Sequence, residues 1–77
     1  MKIRKTFMNG HETKVYIYEN KKEESFMVAV PQLEWSTTFS YEEEKTALLE
    51  RMESSLSTKI EESEVLSNRI FQWTREM

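Results

Sequence analysis

A chain of 77 residues is long enough for one hydrophobic core and too short for two, so we expect a single domain over residues 1–77. Hydrophobic residues make up 38% and aromatic residues 12% of the chain, which is low but sufficient for a globular fold. A disordered chain would usually have fewer aromatic and β-branched residues, so we expect a folded protein. The chain has no cysteine, which excludes disulfides and fits a reducing, cytoplasmic compartment. No apolar run is long enough for a secretory signal or a membrane span, so we expect no membrane partner.

The net charge of −3 is unevenly distributed, because the first 22 residues are basic and the remainder is rich in glutamate. Such asymmetry is found in proteins with a basic binding surface. Two charged surfaces that simply face water would produce the same pattern, so charge alone does not identify a partner.

β-Branched and aromatic residues alternate on either side of Asn9-Gly10-His11, which predicts a β-hairpin. A two-residue Asn-Gly turn would set Lys5 opposite Lys14 and place Arg4 on the face of Val15, which is poor for charge and burial. We therefore predict a three-residue loop, which collects most apolar residues on one face through these pairs: Ile3 with Ile17, Lys5 with Val15, and Phe7 with Thr13.

Ser25–Val30 is the most apolar run in the chain and predicts a third strand. Pro31 cannot donate a ladder hydrogen bond, so regular pairing should stop there. Beyond it, apolar and polar residues alternate from Leu33 to Phe39, which indicates a short, partly exposed fourth strand or an extended loop.

Two capping patterns predict two helices in the second half of the chain. Ser40 and Glu43 have the capping-box spacing, which predicts a helix beginning at Tyr41. Thr58 stands three residues before another glutamate, which predicts a second helix from about Lys59. One long bent helix is the alternative, since no glycine or proline enforces a break.

These elements predict an α+β fold, in which an antiparallel sheet of three or four strands is followed by two α-helices packed on the sheet. The strand order is left open by the sequence. So is the sheet face that remains exposed.

The sequence resembles a known family at Val-Ala-Val-Pro-Gln-Leu-Glu-Trp (residues 28–35) and Phe-Ser-Tyr-Glu-Glu (residues 39–43). These stretches resemble the YueH-like family of small bacterial proteins, and the resemblance covers the whole chain. It implies a Gram-positive, cytoplasmic origin and supplies no catalytic residues. A weaker resemblance, in residues 26–33 and 40–56, is to the HicB antitoxin fold; it implies only the topology, because the Gly-Cys and Gly-Asp steps and a separate DNA-binding segment are missing.

No arrangement of residues indicates an enzyme, a metal site or a cofactor site. His11 is the sole histidine, lies at the predicted turn and has no cysteine or serine partner for nucleophilic catalysis. All fourteen acidic residues are glutamates, with no aspartate to build a compact calcium or magnesium loop. Gly10 is the sole glycine, which argues against a phosphate cradle. We predict a protein that is not an enzyme and needs no cofactor.

Protein binding is the function class that the sequence favours. Trp35, Phe39 and Trp73 are the candidate interface anchors, because aromatic side chains dominate many protein interfaces. The extended segment from Trp35 to Phe39 could also recruit a partner by strand addition. The alternative is that the two tryptophans hold the helices on the sheet. The prediction is a small regulatory or adaptor protein that binds another protein or forms a homodimer.

Nucleic-acid binding is the second hypothesis. Arg4, Lys14, Tyr16 and Tyr18 are predicted to share one sheet face, and aromatic rings with basic neighbours stack bases in RNA-binding sheets. The negative net charge and the lack of an RNP-type motif count against it. If the second helix covered this face, both tyrosines would instead be ordinary core residues.

Overall fold

A computed structural model describes residues 1–8 and 10–77 of the chain. Its elements, in chain order, are β1 (Lys2–Met8), β2 (His11–Asn20), β3 (Ser25–Val30), a 3₁₀ helix (Pro31–Leu33), β4 (Trp35–Ser40), α1 (Lys45–Leu56) and α2 (Ser63–Glu76). The strands form one antiparallel sheet in the order β1-β2-β3-β4. The predicted α+β arrangement, an antiparallel sheet followed by two helices, is confirmed with four strands.

The chain divides into two compact units, Met1–Tyr41 and Glu42–Met77, and each is described by itself. The first unit is the sheet and its connections, and the second contains both helices. That residues 1–77 form a single domain stays a prediction.

The first hairpin corrects the predicted loop. Met8 lies opposite His11, so two residues rather than three separate the strands. Gly10 is one of them, and its φ of 78° is a conformation that glycine adopts without strain. Asn9, the other residue of the predicted loop, lies outside the described residues. His11 is an exposed first residue of β2 and not part of the loop.

The shorter connection moves the register of β1 by one residue, and so reverses the face of every β1 side chain. Lys5 lies opposite Lys14, the pairing that the charge argument rejected. The repulsion between such exposed charges is small, and Lys5 Nζ lies 3.6 Å from a carboxylate oxygen of Glu12, which offsets it further. In return, Thr6 and Met8 join the buried face of the sheet.

The second and third hairpins have similar connections. Each spans four residues, 21–24 and 31–34, and each ends in a glutamate with a φ of 51°. Asn20 supports the first connection, because its side-chain oxygen accepts from the Glu23 N–H at 3.1 Å. Pro31 begins the 3₁₀ helix of the second, so the prediction that pairing stops at this proline is confirmed.

The two faces of the sheet differ sharply in burial. On one face Val15, Ile17, Val28 and Val30 are fully buried. Their neighbours along the same strands point to the other face and are half-buried or exposed. A strand alternates its side chains with period two, so this contrast arises directly from the sequence of β2 and β3.

Both predicted helix starts are wrong. The Tyr41 N–H donates to the Glu24 carbonyl at 2.9 Å, which ties this residue to the β2–β3 connection, and α1 begins only at Lys45. The Thr58 hydroxyl donates to the Ser55 carbonyl at 2.9 Å, at the end of α1. It therefore satisfies the helix that precedes it and does not cap the helix that follows. Two helices separated by residues 57–62 are present, and the single bent helix is excluded.

The helical unit combines an apolar stripe with charged contacts. Leu48, Met52 and Leu56 are the buried residues of α1, at a spacing of four. In α2, two cations lie over the Phe71 ring, with Lys45 Nζ at 5.3 Å and the Arg75 guanidinium carbon at 5.0 Å from its centroid. Such contacts contribute roughly 0.5–1 kcal/mol each at exposed sites.

Candidate binding surface

One face of the sheet carries the exposed side chains, and we call it the open face. Its members are Ile3, Lys5 and Phe7 of β1, Glu12, Lys14, Tyr16 and Tyr18 of β2, Met27 and Ala29 of β3, and Ser36, Thr38 and Ser40 of β4. The strand register sets neighbours side by side in rows, such as Ile3 beside Tyr16 and Tyr16 beside Ala29. An apolar row therefore runs from Ile3 across Tyr16 to Ala29, and Tyr18 and Met27 form the next row. Phe7 is set apart from these rows by Lys5 and Lys14.

Large apolar side chains of the open face are accessible. Phe7 is 71% exposed, Ile3 54%, Tyr18 43% and Met27 42%. Single exposed apolar residues are ordinary, but several on one flat sheet face make a patch of the kind that marks an interaction site.

The charges of the open face are few. Lys5 pairs with Glu12, and Lys14 is the remaining basic group on this face. Half of the twelve members of the face are thus apolar or aromatic, and the face carries a weak positive charge along β1 and β2. That composition suits a protein partner better than a nucleic acid, because binding to a phosphate backbone depends on several Lys and Arg contacts.

A recess of about 280 Å³ lies at the end of the open face, lined by Glu12, Lys14, Tyr16, Pro31 and Gln32. The Gln32 side chain builds one wall. Its Nε2 donates to the Glu12 carbonyl at 2.8 Å, and its Oε1 accepts from the Lys14 N–H at 2.8 Å. This amide replaces β3 as the partner of β2 where β3 has ended. The recess is large enough to receive one side chain of a partner.

The residues predicted for nucleic-acid binding do not all meet. Lys14, Tyr16 and Tyr18 share the open face, with Tyr16 half-buried. Arg4 lies opposite Val15 and therefore on the buried face, because the register of β1 differs from the predicted one. The hypothesis that both tyrosines are core residues is wrong, since neither is buried.

The residues predicted as protein-interaction anchors are placed differently. Trp35 is 6% exposed and Phe39 is 7% exposed, so neither is accessible to a partner. Trp73 is half-buried on α2. Its predicted role in an interface stays a prediction.

Ile3, Phe7 and Met27 are members of the open face that sequence reasoning did not identify. The prediction assigned Ile3 and Phe7 to the core because it used a three-residue loop. The Asn-Gly pair was the pattern that could have placed them correctly, because two-residue hairpins strongly favour it. Met27 lies within the most apolar run, where its outward direction follows only from the alternation of the strand.

Tyr41 makes polar and aromatic contacts at the end of the sheet that carries the β2–β3 connection. Its hydroxyl donates to the Glu19 carboxylate, and its ring lies 5.2 Å from the Phe26 ring between centroids. Phe26 in turn contacts Phe39 at 5.5 Å. The hydrogen bond to Glu19 raises the pKa of Tyr41 to about 12. These contacts are structural, since they hold the end of β4 to β2 and β3.

Two further features concern the described part of the chain. No helix there has the length and apolar character needed to cross a membrane. Within residues 1–8 and 10–77, no three His, Cys, Asp or Glu side chains are grouped so that they could share a metal ion.

The fold and the surface define a small α+β protein with one buried and one accessible sheet face. The sequence model of the family described as YueH-like protein matches residues 2–76. A Bacillus subtilis (strain 168) protein named "Uncharacterized protein YueH" is 51% identical over 82 aligned positions, which cover the whole of both chains. No solved structure matches the chain. The chain belongs to the YueH-like family, and the family resemblance found in the sequence is confirmed.

Proposed function

We propose that this chain is a non-enzymatic, cytoplasmic adaptor or regulatory module that binds another protein through the open face of its sheet. The exposure of Ile3, Phe7, Tyr18 and Met27 on one face carries the proposal. Covering such side chains removes apolar surface from water at roughly 25 cal/mol per Å², which is a driving force for association.

The shape of the surface supports a protein partner. A four-stranded sheet presents a broad surface, and the recess beside Gln32 offers a place for one anchoring side chain. Interfaces are commonly organised in this way, with aromatic and aliphatic contacts at the centre and polar groups at the rim. Here Lys14 and Glu12 supply the charged groups beside the recess.

Affinity capture from nuclease-treated bacterial extract tests the proposal when it is done with matched variants. Met27→Ser removes an apolar side chain from the open face, while Val65→Ser removes one of equal exposure, 42%, from α2. We expect a retained protein that survives nuclease, persists with Val65→Ser and is lost with Met27→Ser. Thermal melts must show both variants folded. Equal retention by both variants would contradict the use of the open face.

Nucleic-acid binding is the second candidate, because Lys14, Tyr16 and Tyr18 share the open face. It predicts capture that depends on nucleic acid, weakens steeply with salt and is reduced by Lys14→Ala. Binding to a protein partner should fall much less steeply with salt, because the open face carries few basic groups. The same capture experiment, run with and without nuclease, separates the two candidates.

A further inference from the structure

The Gln32 side chain reveals which way the backbone of β2 faces. It binds the Glu12 carbonyl and the Lys14 N–H, and it comes from the connection that follows β3. The backbone groups of these two residues therefore point away from β1. In an antiparallel ladder, pairs that exchange hydrogen bonds alternate with pairs that do not. The backbone N–H and C=O groups of Thr13 and Val15, which alternate with these residues, consequently point toward β1.

The same alternation determines which backbone groups of β1 bond to β2 and which point outward. Arg4 and Thr6 lie opposite Val15 and Thr13, so their backbone groups bond to β2. The backbone N–H and C=O groups of Ile3, Lys5 and Phe7 then point outward from the sheet. β1 is the first strand in the sheet order, and no strand pairs with its outer side within residues 1–8 and 10–77.

The outward-facing residues of the β1 edge are also the exposed β1 residues of the open face. Ile3 is 54% and Phe7 71% exposed, and the Lys5 side chain is 63% exposed. A strand added here would form backbone hydrogen bonds at the edge and extend the apolar patch at the same time. β4, the edge favoured by the sequence, lacks this combination, because Trp35 and Phe39 are buried there and its open-face residues are polar: Ser36, Thr38 and Ser40.

The charge of β1 selects among occupants. The strand contains Lys2, Arg4 and Lys5 and no acidic residue. Natural edge strands use such charges to discourage pairing with one another. A second copy of this chain would bring basic residues against basic residues, which is unfavourable for cross-strand neighbours. Arg4 favours a partner with carboxylates, because its Nε atom is buried and has no hydrogen-bond partner among the described residues.

We propose that the β1 edge, at Ile3, Lys5 and Phe7, takes up an extended acidic segment of a partner protein by strand addition. Apolar residues of that segment continue the open face beside Ile3 and Phe7, and its carboxylates meet Lys5 on one side and Arg4 on the other. The proposal rests on the proposed function and names the chemistry of its partner.

Amide hydrogen exchange tests the proposal with a defined probe. The probe is a blocked peptide of alternating glutamate and valine that matches the seven residues of β1. In the free protein, we expect fast exchange at Ile3, Lys5 and Phe7 and protection at Arg4 and Thr6. The peptide should slow exchange at the first three amides by about tenfold or more. A lysine and valine peptide should leave exchange at these amides unchanged.

Charge reversal supplies the matched variants. Lys5→Glu should weaken binding of the acidic peptide by about threefold to tenfold, because the reversal replaces an exposed attraction by a repulsion of similar size. Lys21→Glu makes the same change in the exposed connection between β2 and β3 and should leave binding unchanged. Equal effects of the two variants, equal binding of both peptides, or protection of the three amides by self-association would each overturn strand addition.

The two proposals fail separately. A captured protein that is lost with Met27→Ser while Ile3, Lys5 and Phe7 stay unprotected in its complex would overturn strand addition and leave open-face binding standing. Protection of the three amides by the acidic peptide, together with capture that ignores Met27→Ser, would overturn open-face binding and keep the edge site.

Discussion

The two faces of one sheet show how the same strands can serve stability and recognition. On the buried face, Val15, Ile17 and Val28 have no exposed surface. On the open face, Tyr18 and Met27 stand beside them in sequence and keep more than two fifths of their surface accessible. A one-residue step along a strand therefore separates a core residue from a residue of the proposed binding surface. The register of β1 decides on which face its residues fall.

The largest effect that separates the faces should come from two isoleucines. Ile17→Ala empties a fully buried site and should lower the free energy of unfolding by about 2–5 kcal/mol. Ile3→Ala acts on a side chain that is 54% exposed and should change it by less than about 0.5 kcal/mol. Urea denaturation measures both. Similar losses from the two variants would mean that the faces are not distinct.

The hairpin that sets the register should be sensitive at Gly10. Its φ of 78° is strained for residues with a Cβ, and no heavy atom lies within 4 Å of a Cβ built there. Gly10→Ala should therefore lower the free energy of unfolding by about 1–2 kcal/mol through the backbone alone. Gly10→Asn is the control and should lower it less, because asparagine tolerates this region. An unchanged midpoint of urea unfolding in Gly10→Ala would argue against this turn.

Gln32 links the open face to its recess, and its loss should have a moderate effect. Gln32→Ala removes two hydrogen bonds to the β2 backbone and should lower the free energy of unfolding by about 1 kcal/mol. Gln72→Ala, an exposed change on α2, should have almost no effect on unfolding in urea. Equal stability of the two variants would show that the Gln32 contacts contribute nothing.

Tyr41 provides the smallest and most pH-dependent effect. Its pKa of about 12 lies above the ordinary value of 10.0, because the protonated hydroxyl donates to Glu19. The stabilisation is therefore complete below pH 10 and is lost as pH rises toward 12. The difference in stability between the wild type and Tyr41→Phe should be constant near neutral pH and shrink above pH 10. A difference that grows with pH would contradict the assignment.

Much of the sheet was predictable because its strands obey local rules. The alternation in β2, the apolar run of β3 and the break at Pro31 each follow from backbone chemistry. The register of β1 did not follow, because the Asn-Gly pair favours a two-residue turn while the charges of Lys5 and Lys14 favour a longer loop, and the repulsion between exposed charges is too small to decide the register. The predicted candidate surface therefore lacks Ile3 and Phe7, because the longer loop places both residues on the buried face.

The helix starts show a second limit of local patterns. Ser40 and Thr58 have side chains suited to capping the helix that follows, yet neither helix begins at the residue after them. The residue after Ser40 is held by a backbone hydrogen bond to the β2–β3 connection, and Thr58 bonds back to α1. Such competition between neighbouring elements cannot be resolved from four-residue spacing.

The register of the first hairpin tests the central claim most directly, because it decides whether Ile3 and Phe7 belong to the open face. Close Hα–Hα contacts occur between residues that face each other without exchanging hydrogen bonds. We predict nuclear Overhauser effects between the Hα atoms of Lys5 and Lys14, and between those of Ile3 and Tyr16. Contacts of Lys5 with Val15 and of Ile3 with Ile17 would instead establish the longer loop, return Ile3 and Phe7 to the buried face and contradict the proposed surface.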